Sequence, residues 1–283
     1  MKTAIFYLSE KQLNFSHYQQ SIFACLEQNG FDMLWHGTPD DDAPVPDLLI
    51  SFGGDGTILR AANYAAKRQL PILGVNLGHL GFLTEIVLPQ LELALHDILA
   101  ENYQIERRFM LQAQCVSHDC QEFSAEALNE FVVNKTASSG ILEIAFSMNE
   151  ELVADFLADG LIFSSPTGST AYSLSAGGPI VHPSMHTILA TPIAAHTLNF
   201  RPIIFPDSAR LSLRLLRQTE AMLCGDGHIS HPVNSGAEIQ ISKSQNQVRF
   251  IRFAKHSFIE TLRKKFHLGL RQKDAADAQR TFH

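Results

Sequence analysis

The chain has 283 residues, of which 45% are hydrophobic and 18% are charged, a composition ordinary for a globular protein with a sizeable core. The formal net charge of −7 argues against a polybasic surface for nucleic acid or anionic membranes. The sequence contains no apolar run of about 18 residues, no signal-peptide pattern and no CxxC pair. We therefore expect a cytoplasmic protein that binds neither nucleic acid nor membrane, with core thiols at Cys115 and Cys120.

Residues 1–100 alternate predicted strands with predicted helices. The strands are expected at Thr3–Leu8, Phe31–Trp35, Leu48–Phe52 and Pro71–Val75, and the helices in a segment ending near Gly30, at Thr57–Arg68 and at Pro89–Leu99. Short apolar runs separated by helices are typical of parallel strands that are covered on both faces. The pattern predicts an α/β domain with a Rossmann-like parallel sheet over residues 1–100.

Residues 101–255 have a different pattern, in which short runs rich in Val, Ile and Phe recur, often at intervals of about 8–12 residues. The runs are Met110–Ser117, Phe131–Asn134, Ile141–Met148, Leu152–Leu157, Leu161–Ser164, Leu211–Leu216, Glu238–Lys243 and Val248–Phe253. They predict a mostly β domain. Helical spacing returns at residues 257–267, so we assign residues 256–283 to a C-terminal helix and tail.

The strongest candidate for chemistry is Gly53–Thr57, with sequence Gly-Gly-Asp-Gly-Thr, at a predicted strand-to-helix turn. Glycines at Gly53, Gly54 and Gly56 allow a sharp turn and close approach of a ligand, and a helix N-terminus capped by Thr57 suits phosphate. A carboxylate in such a cradle is unfavourable unless it faces a hydroxyl to be deprotonated or a Mg²⁺ that bridges phosphates. Asp55 is therefore the candidate catalytic residue. The Walker A string is absent, and the Rossmann glycine fingerprint is only partly met.

The second candidate is the segment Asp159–Pro179, which is dense in hydroxyls and glycines. Its backbone amides and the hydroxyls of Ser169 and Thr170 could donate to phosphates, and Tyr172 offers a ring for stacking. A third, weaker candidate is the adjacent pair Asn129 and Glu130, which could bind a ribose diol or an adenine edge.

Together these segments closely resemble the NAD kinase family. The matching pieces are Gly53–Thr57, Asn76–Glu85, Leu128–Glu130 and Asp159–Pro179. The Gly-Gly-Asp-Gly-Thr piece alone is not decisive, because lipid kinases share it. The long hydroxyl-rich segment makes the combination specific.

The resemblance implies an N-terminal α/β domain, an all-β C-terminal domain and a last helix that returns to the first domain. It implies transfer of the γ-phosphoryl group of ATP to the 2′-hydroxyl of the adenosine ribose of NAD, giving NADP. The expected cofactor is a divalent cation such as Mg²⁺, and the expected assembly is a homodimer or homotetramer.

The resemblance also implies roles for individual residues. Asp55 matches the base for the ribose hydroxyl, and Gly53, Gly54 and Thr57 form the phosphate-binding turn. The substrate-binding positions are Gly56, Asn129, Glu130, Asp159, Thr170, Ala171, Tyr172, Ser173, Leu174, Ser175 and His228. Many members have a basic residue where this chain has Leu157, and the family often has Gln at the position of His228.

Two other classes of function remain open from the sequence. A lipid or sphingoid-base kinase would need an apolar pocket or an amphipathic basic helix, and the sequence offers no such helix. A non-catalytic NAD(P)-binding sensor could keep the glycines and Tyr172 but would not need Asp55.

Overall fold

A computed structural model describes residues 1–7, 16–39, 42–78, 81–115, 123–196, 200–217, 220–254 and 257–267. The chain divides into two compact units. The first unit comprises Met1–Ile58, Leu73–Ile105 and Ile251–His283, and the second comprises Leu59–Ile72 and Glu106–Phe250. The domain bounds expected from the sequence, 1–100, 101–255 and 256–283, stay a prediction, and the tail at 268–283 lies outside the described residues.

The described residues form helices α1 (Gln19–Gln28), α2 (Asp55–Lys67), α3 (Leu91–Leu99), α4 (Tyr172–Ser175) and α5 (Phe258–Phe266), with 3-10 turns at Leu88–Gln90 and Gly168–Thr170. The strands of the N-terminal part are β1 (Lys2–Phe6), β2 (Asp32–His36), β3 (Leu48–Phe52), β4 (Pro71–Asn76) and β5 (Ile86–Val87). Those that follow are β6 (Gln104–Cys115), β7 (Ser124–Ala127), β8 (Glu130–Lys135), β9 (Leu142–Met148), β10 (Glu151–Ala158), β11 (Gly160–Ser164), β12 (Thr187–Ile193), β13 (Ile203–Pro206), β14 (Leu211–Leu215), β15 (Ala221–Gly225), β16 (Ile229–Val233) and β17 (Glu238–Arg252).

The first unit is built on parallel strands in the order β4, β3, β1, β2. All five residues of β3 are buried, as expected for a central parallel strand covered on both faces. The core joins side chains of these strands to apolar residues of α1 and α3, among them Leu26 and Leu95. The expected α/β architecture is confirmed.

Helix α5 belongs to the first unit. The Ser257 side chain caps its N-terminus by accepting a hydrogen bond from the backbone N–H of Glu260. The rings of Phe258 and Phe266 lie with centroids 6.2 and 6.0 Å from the ring of Phe82. The return of the last helix to the first domain is thus confirmed.

The second unit contains a six-stranded antiparallel sheet in the order β13, β12, β11, β8, β15, β16. A further antiparallel group runs β10, β9, β14, β17, and β6 pairs with β7. Side chains of both sheets meet in one core, where the ring centroid of Phe146 in β9 is 5.8 Å from that of Phe163 in β11. The expected all-β character of this part of the chain is confirmed.

Two local expectations are wrong. Helix α2 begins at Asp55, so Thr57 lies inside its first turn and does not cap it. Gly53 has φ of 149°, which turns the chain into the helix earlier than the apolar pattern predicted. Cys115 is disulfide-bonded and is not the expected thiol, whereas Cys25 and Cys224 are free. Cys120 lies outside the described residues.

Candidate active site

The Gly53–Thr57 turn links the buried strand β3 to helix α2. The backbone N–H of Gly53 donates to the carbonyl oxygen of Val75 at 2.9 Å, which ties the turn to β4. A Cβ on Gly53 would lie 2.2 Å from Oγ1 of Thr57, and its φ is in the region that disfavours other residues. Glycine is therefore required here on two grounds, while Gly54 and Gly56 are exposed.

Asp55 lies in the first turn of α2, where the positive end of the helix dipole favours a negative charge. Its Oδ2 accepts a hydrogen bond from the backbone N–H of Phe82 at 2.9 Å, and its Oδ1 accepts one from Leu83 at 3.0 Å. A Cβ on Gly81 would lie only 2.0 Å from Oδ1. The amides of Phe82 and Leu83 thus hold the carboxylate in place. The carboxylate occupies space that is available because Gly81 has no side chain, and Asp55 stays partly exposed.

The loop that holds Asp55 is itself anchored by a buried ion pair. Arg252 Nη1 lies 2.9 Å from Glu85 Oε2, with side chains 9% and 2% exposed, and also donates to the carbonyl oxygen of Leu83 at 3.3 Å. The other carboxylate oxygen of Glu85 accepts from the backbone N–H of Phe253 at 2.8 Å. Because these contacts fix both ends of residues 83–85, they restrict the amides that bind Asp55.

A second carboxylate organises the turn that carries Asn129 and Glu130. Asp226 accepts hydrogen bonds from the backbone N–H groups of Leu128 at 2.7 Å, Asn129 at 2.8 Å and Glu130 at 3.2 Å. Asn129, Glu130 and Asp226 are each 8% exposed. Oδ1 of Asn129 and Oε2 of Glu130 have no hydrogen-bond partner within the described residues. Buried polar atoms are normally satisfied, so these two oxygens are candidates for contacts to a ligand.

The two buried carboxyl groups differ in their electrostatic surroundings. Burial and, to a smaller extent, the negative charge of Asp226 raise the pKa of Glu130 to about 8, although the backbone N–H of Tyr172 acts in the opposite direction. Burial also raises the pKa of Asp226, against the lowering effect of its three backbone hydrogen bonds and of nearby His228. Nδ1 of His228 lies 3.1 Å from the carbonyl oxygen of Asp226, so this histidine is part of the same cluster.

The hydroxyl-rich segment is partly occupied by internal contacts. The Ser169 hydroxyl donates to the carbonyl oxygen of Pro166 at 2.7 Å and accepts from the N–H of Val181 at 3.0 Å. The hydroxyl of Ser173 pairs with that of Thr191 at 2.9 Å. The expectation that the Ser169 hydroxyl serves phosphates is therefore not supported by its geometry, because it stabilises the loop.

Other positions of this segment are accessible. Tyr172 is 41% exposed and Ser175 is exposed, while Ala171 and Leu174 are half-buried. Thr170 is half-buried, and its hydroxyl makes one long contact of 3.4 Å to the carbonyl oxygen of Thr167. The Tyr172 ring is the part of the segment best placed to stack on a planar ligand.

Asp159 is not brought together with Asn129 and Glu130. Strands β8 and β11 are antiparallel, with Glu130 opposite Ser164 at one end and Asn134 opposite Gly160 at the other. Asp159 lies next to that second end, where its carboxylate is 2.7 Å from Nζ of Lys135. Lys135 is five positions from Glu130 along β8, which corresponds to roughly 17 Å.

The turn at Asp55 offers enough ligands for a divalent cation only if a bound nucleotide supplies the others. The described residues contain no group of three or more His, Cys, Asp or Glu side chains that could hold a metal. Mg²⁺ is commonly bound by one or two carboxylates, substrate phosphates and water, so a single carboxylate at a helix N-terminus matches its needs. Asp55 is the residue that would contact it.

Sequence reasoning missed the groups that hold the site in place. The amides of Phe82 and Leu83 carry no side-chain signal, although the segment Asn76–Glu85 contributed to the family resemblance. In that segment His79 and Leu80 lie outside the described residues. The family resemblance implies that the loop Asp226–His228 reaches the ligand, but only the three-dimensional position of Asp226 shows that it binds residues 128–130.

Comparisons with known proteins identify the family to which the chain belongs. Residues 10–103 match the family described as ATP-NAD kinase N-terminal domain, and residues 128–253 match the ATP-NAD kinase C-terminal domain. An NAD kinase of Heliobacterium modesticaldum is 42% identical over 224 residues, which cover 79% of this chain and 79% of the relative. An NAD kinase of Geobacter metallireducens is 39% identical over 237 residues, which cover 83% of this chain and 84% of the relative.

Solved structures show the same fold. Yeast NADH kinase in complex with NADH superposes with a TM-score of 0.81 at 23% identity, covering 96% of this chain and 90% of that one. An NAD kinase from Archaeoglobus fulgidus in complex with ATP gives a TM-score of 0.74 at 25% identity, covering 90% and 95%. With both family domains matched and relatives near 40% identity over most of its length, the chain belongs to the NAD kinase family.

Proposed function

We propose that the chain transfers the γ-phosphoryl group of ATP to the 2′-hydroxyl of the adenosine ribose of NAD. As a member of the NAD kinase family it is an ATP-dependent phosphotransferase that converts NAD to NADP. The observation that carries the detailed proposal is Asp55, a partly exposed carboxylate held by the Phe82 and Leu83 amides at a helix N-terminus.

Asp55 is the proposed base. As the O–P bond to the ribose forms and the bond to the ADP leaving group breaks, Asp55 takes the hydroxyl proton and ADP takes the electron pair. Phosphoryl transfer needs mainly positioning and charge neutralisation, so a fixed carboxylate supplies most of what the protein must provide at the acceptor. Gly53, Gly54 and Thr57 remain proposed phosphate positions on the family resemblance. The N–H groups of Gly53 and Thr57 already donate to the carbonyl oxygens of Val75 and Gly54, so a backbone contact to phosphate would fall to Gly54.

The second unit supplies the proposed dinucleotide contacts. Asn129 and Glu130 offer buried oxygens that have no partner in the described part of the chain, Tyr172 offers a stacking surface, and Asp226 and His228 complete this cluster. Gly56, Asp159, Thr170, Ala171, Ser173, Leu174 and Ser175 remain proposed substrate positions on the family resemblance. Because Ser173 is buried against Thr191, its contribution would come from the backbone.

Assembly, cofactor and location follow the same resemblance. Mg²⁺, when bound with ATP, would neutralise phosphate charge. A homodimer or homotetramer is proposed, and the separation of Asp159 from Glu130 within one chain is consistent with a site that takes residues from two subunits.

None of the helices within the described residues is long and apolar enough to cross a membrane. A cytoplasmic location and the absence of nucleic-acid partners stay predictions from the sequence.

The direct test is incubation of the purified protein with ATP, Mg²⁺ and NAD, with the NADP formed measured by an NADP-specific dehydrogenase. We expect the rate of NADP formation to be proportional to the enzyme concentration, and we expect no NADP when ATP is omitted. Tight NAD binding without NADP would favour the sensor. Phosphorylation of a sphingoid base with no reaction of NAD would favour the lipid kinase.

A further inference from the structure

The cluster of Glu130, Asp226 and Asn129 has a feature that its assignment as a dinucleotide site does not explain. Two carboxyl groups, each 8% exposed, lie close enough for the charge of Asp226 to act on Glu130. Two buried like charges near each other repel, which favours the neutral form of one of the two groups. Which group carries the proton decides whether Glu130 can donate or only accept a hydrogen bond.

Hydrogen bonding favours the negative charge on Asp226, against the effect of burial, which raises the pKa of this group. Its Oδ2 accepts from Leu128, and its Oδ1 accepts from both Asn129 and Glu130, so both oxygens are occupied by donors. A proton on either oxygen would compete with these N–H groups. Three backbone donors are the environment that favours an ionised carboxylate even when it is buried.

Glu130 is in the opposite situation. It receives one backbone donor, from Tyr172, while its Oε2 has no partner within the described residues. Burial and the neighbouring charge both raise its pKa, to about 8. Strands β11 and β15 and helix α4 carry no Asp, Glu, Lys, Arg or His, and their titratable groups are the Cys224 thiol and the Tyr172 phenol. The charge that acts on Glu130 is that of Asp226, and His228 in turn acts on Asp226.

We propose that Glu130 meets the dinucleotide as a neutral carboxylic acid that donates its O–H to an acceptor atom of the ligand. Asp226 is the positioning residue: it holds the 128–130 turn and, by remaining ionised, keeps the proton on Glu130. This inference rests on the proposed binding of NAD by Asn129 and Glu130. It adds that the site selects for an acceptor atom, such as a ribose oxygen or a ring nitrogen, opposite Oε2.

The proposal is tested by calorimetric titration of the protein with NAD alone, between pH 6.5 and 9.5. If only the protonated form binds well, the Kd for NAD is constant below about pH 8 and rises about tenfold per pH unit above it. Glu130→Gln keeps a donor and has no titrating group. We expect its Kd to be independent of pH and within about threefold of wild type at pH 7, whereas Glu130→Ala binds about tenfold more weakly.

Opposite results would overturn the neutral-acid role. If Glu130 binds as an anion, NAD affinity increases with pH and Glu130→Gln is as weak as Glu130→Ala. A failure of the proposed function is distinguishable, because the wild-type protein then forms no NADP from ATP and NAD at any pH.

Asp226→Asn tests the positioning role. Without the negative charge, the pKa of Glu130 falls, so the rise in Kd begins at a lower pH than in wild type. A residue that only supports the fold would weaken binding by the same factor at every pH and leave the onset unchanged, which would contradict the role of its charge. Asp155→Asn, an exposed aspartate of β10, is the matched control and should bind as wild type does. Should Asp226→Asn fail to fold, the comparison of Glu130→Gln with Glu130→Ala still decides the protonation state.

Discussion

The turn at Asp55 and the turn at residues 128–130 are each organised by one carboxylate that binds backbone N–H groups. The two carboxylates, Asp55 and Asp226, have different roles. Asp55 is partly exposed, and its two amide partners hold it ready for a ligand. Asp226 is buried, and two of its three amide partners, Asn129 and Glu130, are the residues proposed to bind the dinucleotide. The same interaction therefore fixes a reacting group in one unit and a binding surface in the other.

The difference also shows in how each carboxylate is supported. A helix dipole and the loop anchored by Arg252 and Glu85 stabilise Asp55. Asp226 is held by the amides of a short turn and lies near His228, and its charge acts on a neighbouring acid, Glu130. Disturbing the first turn should therefore affect turnover, and disturbing the second should affect NAD binding.

Loss of the Asp55 carboxylate should have the largest effect. Removal of a general base typically costs on the order of 10²–10⁴ in rate, so we expect Asp55→Ala to lower kcat at least about 100-fold. Steady-state kinetics with ATP, Mg²⁺ and NAD measure this, with circular dichroism to confirm the fold. Asp32→Ala, at an exposed aspartate of β2, should retain wild-type turnover. Near-normal kcat in folded Asp55→Ala would show that another group is the base.

Gly81→Ala should displace the Asp55 carboxylate without removing it. The new Cβ would lie 2.0 Å from Oδ1, so the carboxylate or the loop must move. Because displacement of a reacting group by about 1 Å can cost about 100-fold, we expect kcat to fall at least about tenfold. Gly78→Ala is the control, since its Cβ would meet only Asn76 Oδ1, at 3.7 Å. Equal kcat values in the two variants would contradict the fixed position of Asp55.

Gly168→Ala should affect the other turn. Its Cβ would fall 2.2 Å from the carbonyl oxygen of Asn129, a backbone atom that cannot rotate away. We expect the KM for NAD to rise about tenfold with a smaller change in kcat. Gly140→Ala, where the Cβ has no neighbour within 4 Å, should leave KM unchanged. A fall in kcat alone would argue against a binding role for residues 128–130.

The smallest effect concerns stability in the absence of ligands. The pKa of Glu130 is raised from 4.5 to about 8 in the folded chain, so the folded state holds a proton that the unfolded state releases. The free energy of unfolding should then fall as pH rises from about 4.5 to 8, by at most about 1.4 kcal/mol per pH unit, and not change further above that range. Urea unfolding at pH 5.5 and 7.5 should show a smaller loss for Glu130→Gln than for wild type. An identical loss in both proteins would place the titrating group elsewhere.

Much of the fold, and the turn that carries Asp55, could be predicted from the sequence, because the relevant signals are local. The apolar runs separated by helices predicted the parallel strands of the first unit, and the Gly-Gly-Asp-Gly-Thr string predicted a tight turn with an acid at its centre. The recurring Val, Ile and Phe runs predicted the β character of the second unit.

What the sequence did not predict depends on contacts between distant residues. Asp55 is held by amides 27 and 28 positions away, and Asp226 binds residues almost 100 positions earlier. The hydroxyl of Ser169 looked like a phosphate ligand, but Pro166 and Val181 engage it. A backbone N–H belongs to nearly every residue type, so residue identity does not show which amide will be a partner.

The most direct test of separate roles for the two carboxyl groups compares Asp55→Asn with Glu130→Ala for both kcat and the Kd for NAD. Asp55→Asn should lower kcat at least about 100-fold with the Kd within about threefold of wild type. Glu130→Ala should raise the Kd about tenfold and leave kcat at saturating NAD within about threefold. If Asp55→Asn instead turned over like wild type, or weakened NAD binding as its main effect, the assignment of the phosphoryl-transfer step to Asp55 would be wrong.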